Sequence, residues 1–255
     1  MKRPVMAKEN GSETWRKAMQ VGMKKEDNAA RLIGFWSSMF ATLMAVLFLV
    51  ALVLTFLVFK LDLNWQGIEQ FAQRYNEAQI MSFVVPCFLL APAFLTMMVC
   101  LYRITPEGRK TLALLALAFA VVYASQISYN YFMQMSSVRM SVKAGLLEGL
   151  TPFAFGNLNS TFWSLEVLGY TFLSLSLIFS GLLFRGGRLK AAVRWIFLVN
   201  GIWGVWAMVE QVLSIQSPPI SLMVFAVSFP VSTAMIGVLF LKGAIFSAKE
   251  DTAAA

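Results

Sequence analysis

Histidine is absent from the 255 residues, and with it goes a large part of enzyme and cofactor chemistry. Without an imidazole the chain has no His-ligated haem, no His-containing zinc site and no His-based general base or triad. Cysteine is scarce. Cys87 and Cys100 stand thirteen positions apart in one apolar stretch. On a helix that spacing sets them on different faces several turns apart, so they neither pair with each other nor form a metal-spaced motif, and they read as packing residues. Charge is scarce too, at 13% of residues against about a quarter in soluble domains.

What fills the chain instead is apolar: 58% hydrophobic residues, including 22 Phe, 15 Met and 7 Trp, with a mean hydropathy of +0.69. A water-facing globule of this size does not hide that much apolar side chain, so the sequence reads as a membrane protein. Six apolar segments, at about 32–59, 79–102, 111–133, 161–184, 192–213 and 219–241, are each long enough to cross a bilayer. The first is long enough to tilt or project. None shows the strict alternation of a barrel strand, and each must satisfy its backbone internally, so the expected fold is all-α, a bundle of six transmembrane helices.

Residues 1–31 form a basic tail, 32–243 the transmembrane domain and 244–255 a second tail. In the first tail Trp15, Met19 and Met23 fall at helical spacing among Arg16, Lys17, Lys24 and Lys25, which suits either a short helix on anionic headgroups or a mobile tail. The apolar stretch that follows is too long for the core of a cleaved signal peptide. Of the basic residues, 17 lie in the tails, at Lys242 beside the second tail, and in the turns at 103–110 and 185–194, against 4 (Lys60, Arg74, Arg139 and Lys143) in the other connections. The positive-inside rule then puts both termini in the cytoplasm, and the net charge of +8 needs no nucleic-acid partner.

Two outer connections stand apart from ordinary loops. In 62–79, Trp65, Ile68, Phe71, Ala72 and Tyr75 recur at three-to-four spacing, the pattern of an interfacial helix. In 135–160, Met135, Met140, Leu146, Leu147, Phe153 and Phe155 mix with Gly145, Gly149, Pro152 and Gly156, which suits packing on the lipid surface or a lid over the bundle.

Glu166 and Glu210 are the two carboxylates inside the expected spans, both toward the outer ends, and neither is stable facing lipid. The third segment carries Tyr123, Gln126, Asn130 and Gln134 within an arc of roughly 80°. The fourth repeats the spacing with Trp163, Glu166, Tyr170 and Ser174, and the fifth aligns Asn200, Trp203, Ala207, Glu210 and Gln211. Tyr123, Gln126, Asn130, Glu166, Tyr170 and Glu210 are therefore the candidate ligand-binding residues. They would line an outer-leaflet cavity between the third, fourth and fifth segments, open to a small amphipathic, lipidic or cationic ligand. Proton exchange at Glu166 in a small secondary carrier is the alternative, and mutual hydrogen bonding that holds the helices in register is the plain structural one. Pro86, Pro92 and Pro230 are expected to kink their helices, and Gly201, Gly204 and Ala207 to pack closely against a neighbour. No inverted repeat relates the first three segments to the last three, and the GxSxG, HExxH and paired intramembrane Asp patterns are missing, so neither an enzyme nor a cofactor is expected.

The run from Asn159 to Gly201 has a Trp-containing start to the fourth segment, the turn Phe184-Arg-Gly-Gly-Arg-Leu-Lys190, then Arg194-Trp-Ile-Phe197 and Asn200-Gly201. It resembles small six-helix integral membrane proteins of bacteria and archaea that are grouped as domains of unknown function. The likeness covers about a sixth of the chain in motif and the rest in layout. It implies a prokaryotic inner-membrane location and carries over no catalytic or ligand residues.

The charge partition generates a test of orientation. In a variant lacking Cys87 and Cys100, Gln73→Cys and Ser137→Cys should react with an impermeant thiol reagent added outside the cell. Gly108→Cys and Gly187→Cys should react only after the membrane is opened; the reverse pattern overturns the orientation.

Overall fold

The computed structural model describes the backbone of residues 9–57, 65–215, 220–243 and 245–246, and the side chains of 26–55, 65–215, 224–243 and 245–246. Lys60, the start of the 62–79 segment, Lys249 and the outermost tail residues lie outside the described residues, as do the side chains of Trp15, Met19 and Met23. The described elements are α1 (Glu9–Leu57), α2 (Ile68–Gln73), α3 (Glu77–Ile104), α4 (Lys110–Met133), α5 (Arg139–Lys143), α6 (Thr161–Gly181), α7 (Arg188–Val212) and α8 (Ile220–Leu241). Six stretches of helix, carried by α1, α3, α4, α6, α7 and α8, are long and apolar enough to cross a membrane. The chain is an all-helical, multi-pass membrane protein.

Several boundaries differ from the reading of the sequence. No proline interrupts residues 9–57, so 9–31 form one unbroken helix with the first span, and α1 reaches 49 residues. The third span also runs on. A π-helical turn at Gln134–Val138 joins α4 to α5, and the helical rod extends to Lys143 before Gly145 ends it. The expected outer loop is thus irregular only from Ala144 onward. In the other direction, α6 stops at Gly181, and Leu182–Phe184 form a turn that buries Leu183 and Phe184 completely. The helices α3 and α8 continue through their prolines.

At the face opposite the chain's described ends, α2 is a surface helix with no buried residue, flanked by a relay of rings in which Trp65, Phe71 and Tyr75 lie 6.0 and 5.7 Å apart. Glu77 starts α3 and accepts from Arg139 at 2.9 Å while pairing with Lys143, which ties α3 to α5. Beside it, burial and the Glu77 charge push the Tyr75 hydroxyl above its ordinary value.

Spans consecutive in sequence pack side by side, and α8 returns to α1, so the six close into a ring. Small residues set the seams. Thr42 and Thr233 hydroxyls meet at 2.9 Å between α1 and α8, and Ser176 of α6 donates to the Ala116 carbonyl of α4 at 2.7 Å. The expected small-residue face is one of these seams: Gly201 and Gly204 of α7 lie against Ser174 and Ile178 of α6. Across the middle, Phe94 of α3, Tyr123 of α4, Tyr170 of α6, and Phe225 and Phe229 of α8 form a closed cycle of rings with centroids 5.4–6.1 Å apart.

The α6–α7 seam leaves little room. A Cβ at Gly201 would stand 2.8 Å from the Ser174 carbonyl oxygen, and one at Gly204 would stand 2.8 Å from the Ser174 Cβ. Gly201→Leu and Gly204→Leu should each force the helices apart and cost about 1–3 kcal/mol, read as a lower melting temperature in detergent. Ala207→Leu, one turn further, serves as the milder comparison.

Candidate functional site

Ser160 caps α6, accepting from the Trp163 amide at 3.1 Å, and so fixes where the helix begins. Glu166 follows on the second turn, roughly 8 Å along the axis, on the side that faces α4. There α4 presents Asn130 and Tyr131. The Asn130 amide donates to Glu166 Oε2 at 3.1 Å and to the Phe162 carbonyl at 3.1 Å, while the Tyr131 hydroxyl donates to Glu166 Oε1 at 2.5 Å. All three side chains are buried, Glu166 with 9% exposure. No basic side chain among the described residues pairs with that carboxyl; its hydrogen-bond donors are neutral.

Below Glu166 the polar line continues. The Tyr170 hydroxyl reaches Cys87 Sγ at 3.7 Å, and the Tyr123 ring sits 5.8 Å from the Tyr170 ring. The Tyr123 hydroxyl is wholly buried and has no hydrogen-bond partner among the described residues. Above Glu166, Phe155 stacks on Phe83 of α3 at 5.6 Å and leans on Phe162 at 5.5 Å, and Gln134 donates to the Phe153 carbonyl at 2.8 Å. Of the two roles open to the 135–160 segment, its second half takes that of a cap over the bundle.

Of the six candidate residues, the structure brings Tyr123, Asn130, Glu166 and Tyr170 to one interior column. Gln126 shares the α4 face and lies beside Gly169, with its Oε1 buried and unpartnered among the described residues, but it makes no bond to Glu166. Glu210 sits apart at the far end of α7, accepting from Trp206 Nε1 at 2.8 Å in an exposed contact. Asn200 turns to α8, where Ser228 donates to it. The polar groups therefore meet among α3, α4 and α6 inside the ring, not between α4, α6 and α7, because α7 lays its glycine face on α6. Elsewhere an apolar groove of about 520 Å³ lies between α1 and α3 on the outside of the ring, lined by Trp36, Phe40, Leu89 and Pro92.

Tyr131, Cys87 and Phe155 belong to the column without standing out as site residues in the sequence. Tyr131 carries a signal, since it lies eight residues from Tyr123 on the same face. Cys87 and Phe155 carry none, because what places them here is ring closure and a loop fold. Among the described residues, no group of three His, Cys, Asp or Glu side chains clusters as a metal site.

Fold and site together define a multi-pass membrane protein with an acid buried in the third of its helix ring farthest from the termini. Comparison with family models, curated proteins and solved structures yields no match.

The carboxyl–hydroxyl bond can be measured directly. Tyr131→Phe, Glu166→Gln and the double variant should give a coupling free energy of about 1 kcal/mol, within the range of hydrogen bonds between membrane helices. Unfolding titrations in mixed micelles would read it, and a coupling indistinguishable from zero would show that the bond is not formed.

Proposed function

We propose that this is a non-catalytic protein of a prokaryotic inner membrane, with both termini in the cytoplasm, whose Glu166 receives the cationic group of a small amphipathic ligand. One observation carries the reading: the Glu166 carboxyl is buried with neutral donors and, among the described residues, no basic partner. An ionised carboxyl in such surroundings is costly unless a positive charge accompanies it. Among the described residues nothing supplies that charge, so on this reading it arrives from outside, as a proton when no ligand is bound and as a ligand cation when one is.

Beside the acid the Tyr131 and Phe162 rings lie edge to face 5.9 Å apart, and one turn deeper Tyr170 lies 5.8 Å from Tyr123; aromatic surroundings of this kind suit a desolvated cation. Their apolar bodies favour a ligand that is itself part apolar. The absence of histidine and of intramembrane protease patterns supports a role without bond chemistry. The charge partition supports the orientation, and the run from Asn159 to Gly201 the prokaryotic setting.

Exchange of a proton for a cation at one acid is also what a proton-coupled carrier needs. Binding without carriage is favoured by the cycle of rings from Phe94 to Phe229, which fills the middle of the bundle below Glu166, and by the lack of matched halves in the sequence.

Calorimetry on the protein in lipid nanodiscs, with tetraphenylphosphonium as probe, tests this. Wild type should bind and release a proton, seen by comparing two buffers of different ionisation heat. Glu166→Gln should bind roughly tenfold weaker or worse, a loss of about 1.4 kcal/mol, while its melting temperature falls by no more than the few degrees that the weakened bond to Tyr131 accounts for. Glu210→Gln should match wild type. Equal binding by wild type and Glu166→Gln sinks the proposal, and uptake into liposomes driven by a pH gradient would move it to a carrier.

A further inference from the structure

Residues Leu150–Phe155 sit over the mouth of the helix ring, and several independent features distinguish them from an ordinary surface loop. They are bounded by Gly149 and Gly156, whose φ angles of 73° and 92° belong to the left-handed region, and an added Cβ at either would meet nothing within 4 Å. The segment is thus hinged at both ends by residues free to turn. Within it, Thr151–Phe153 form a single 3-10 turn, and just past the second glycine Asn157 donates its side-chain amide to the Thr151 carbonyl at 3.2 Å and its backbone N–H to the Ala154 carbonyl at 3.3 Å, which holds the turn in shape and ties it to the approach to α6. Leu150 and Ala154 are buried, and the Phe155 ring fills the gap between Phe83 of α3 and Phe162 of α6.

On the α4 side, among the described residues, one polar bond fastens this piece, Gln134 Nε2 to the Phe153 carbonyl, while on the α6 side it is held through Asn157, whose carbonyl accepts from the Ser160 amide. Gln134 is itself 1% exposed, and its Oε1 is buried with no partner among those residues. It begins the π-helical turn at Gln134–Val138 that follows α4 one turn beyond Asn130 and Tyr131. A π turn carries one residue more than the α-helix around it needs, and such turns recur at functional sites. Gln134 therefore occupies the position on α4 where a small change of register swings a side chain, and it is the residue that both touches the cap and shares the helix face of Asn130.

We infer that residues 150–155 are a lid latched by Gln134, and that the interior around Glu166 is reached from the face opposite the chain's termini by lifting Phe155 out from between Phe83 and Phe162. The closed cycle of rings through Phe94, Tyr123 and Phe229 bars the way from the other side. The lid regulates the pocket to which the preceding reading assigns a cation, and it rests on that reading for its purpose. Its existence rests on the cap alone.

Cys87 supplies a native reporter. It lies on α3 one turn deeper than Phe83, is completely buried and bonds to Tyr170 within the column. The experiment uses the full chain carrying Cys100→Ala, reconstituted in sealed vesicles, with a small cationic methanethiosulfonate added to one side at a time. Labelling of Cys87 should be slow in this parent. From the side opposite the termini, Phe155→Ala and Gln134→Leu should each speed it roughly tenfold, the first by removing the plug and the second by removing the latch. From the side of the termini all three should stay slow. Melting temperatures within a few degrees of the parent establish that faster labelling is lid opening and not unfolding. Unchanged rates in both variants would overturn the lid, as would labelling from the terminus side that Phe94→Ala accelerates and Phe155→Ala does not. Because the readout is thiol access, a lid that opens as expected while Glu166→Gln binds the cation normally would condemn only the ligand assignment.

Discussion

The seam between α1 and α8 decides whether this molecule has an inside. Five of the six seams around the ring join neighbours in sequence, kept near each other by the connecting segments whatever the packing; the sixth joins the first span to the last. In lipid there is no hydrophobic gain from bringing two apolar helices together, so this seam depends on fit and hydrogen bonding. Gly34 lets the Phe240 ring lie flat on α1, Gly237 accepts the Met39 side chain, and the Thr42 and Thr233 hydroxyls close the middle. If α8 parted from α1, lipid chains would take its place against the interior, and the Phe225 and Phe229 rings would leave the central cycle.

A closed ring of apolar helices is a favourable setting for aromatic side chains and a hostile one for an acid, and the molecule contains both at adjacent levels. The acid is tolerated because Asn130 and Tyr131 reach it from the neighbouring helix with two donors to its two oxygens. The same bonds fix the rotation of α4 against α6. The structural role of Glu166 and the binding role proposed for it are therefore compatible: the donors that would orient a ligand-receiving carboxylate also set helix register without a ligand.

The six spans are legible in the sequence because bilayer thickness imposes a window of apolar residues that no other constraint imitates. Counting from span ends also places Asn130 and Glu166 at one depth, and they touch. Depth is a property of one helix, however, while facing is a property of two. Glu210 has the same chemistry at a comparable level, yet α7 presents its glycines to α6 and leaves Glu210 at the interface. The polar run Gln134-Met-Ser-Ser-Val-Arg139 reads as loop, although nothing before Gly145 breaks a helix; polarity there marks the end of the bilayer and not the end of the rod. Phe155 is visible in the sequence as part of an apolar loop, but its seat between two helices is set by residues far apart in the chain.

The length of α1 has a mechanical consequence. Its apolar run begins at about residue 32, while the helix begins at Glu9, so 23 helical residues precede that run, a length of roughly 35 Å at the α-helical rise. An unbroken helix resists twisting and bending along its whole length. The stretch before the apolar run is about as long as a bilayer's hydrocarbon core is thick. Torque applied there is delivered within the membrane at Gly34 and Thr42, on the seam that keeps the ring shut.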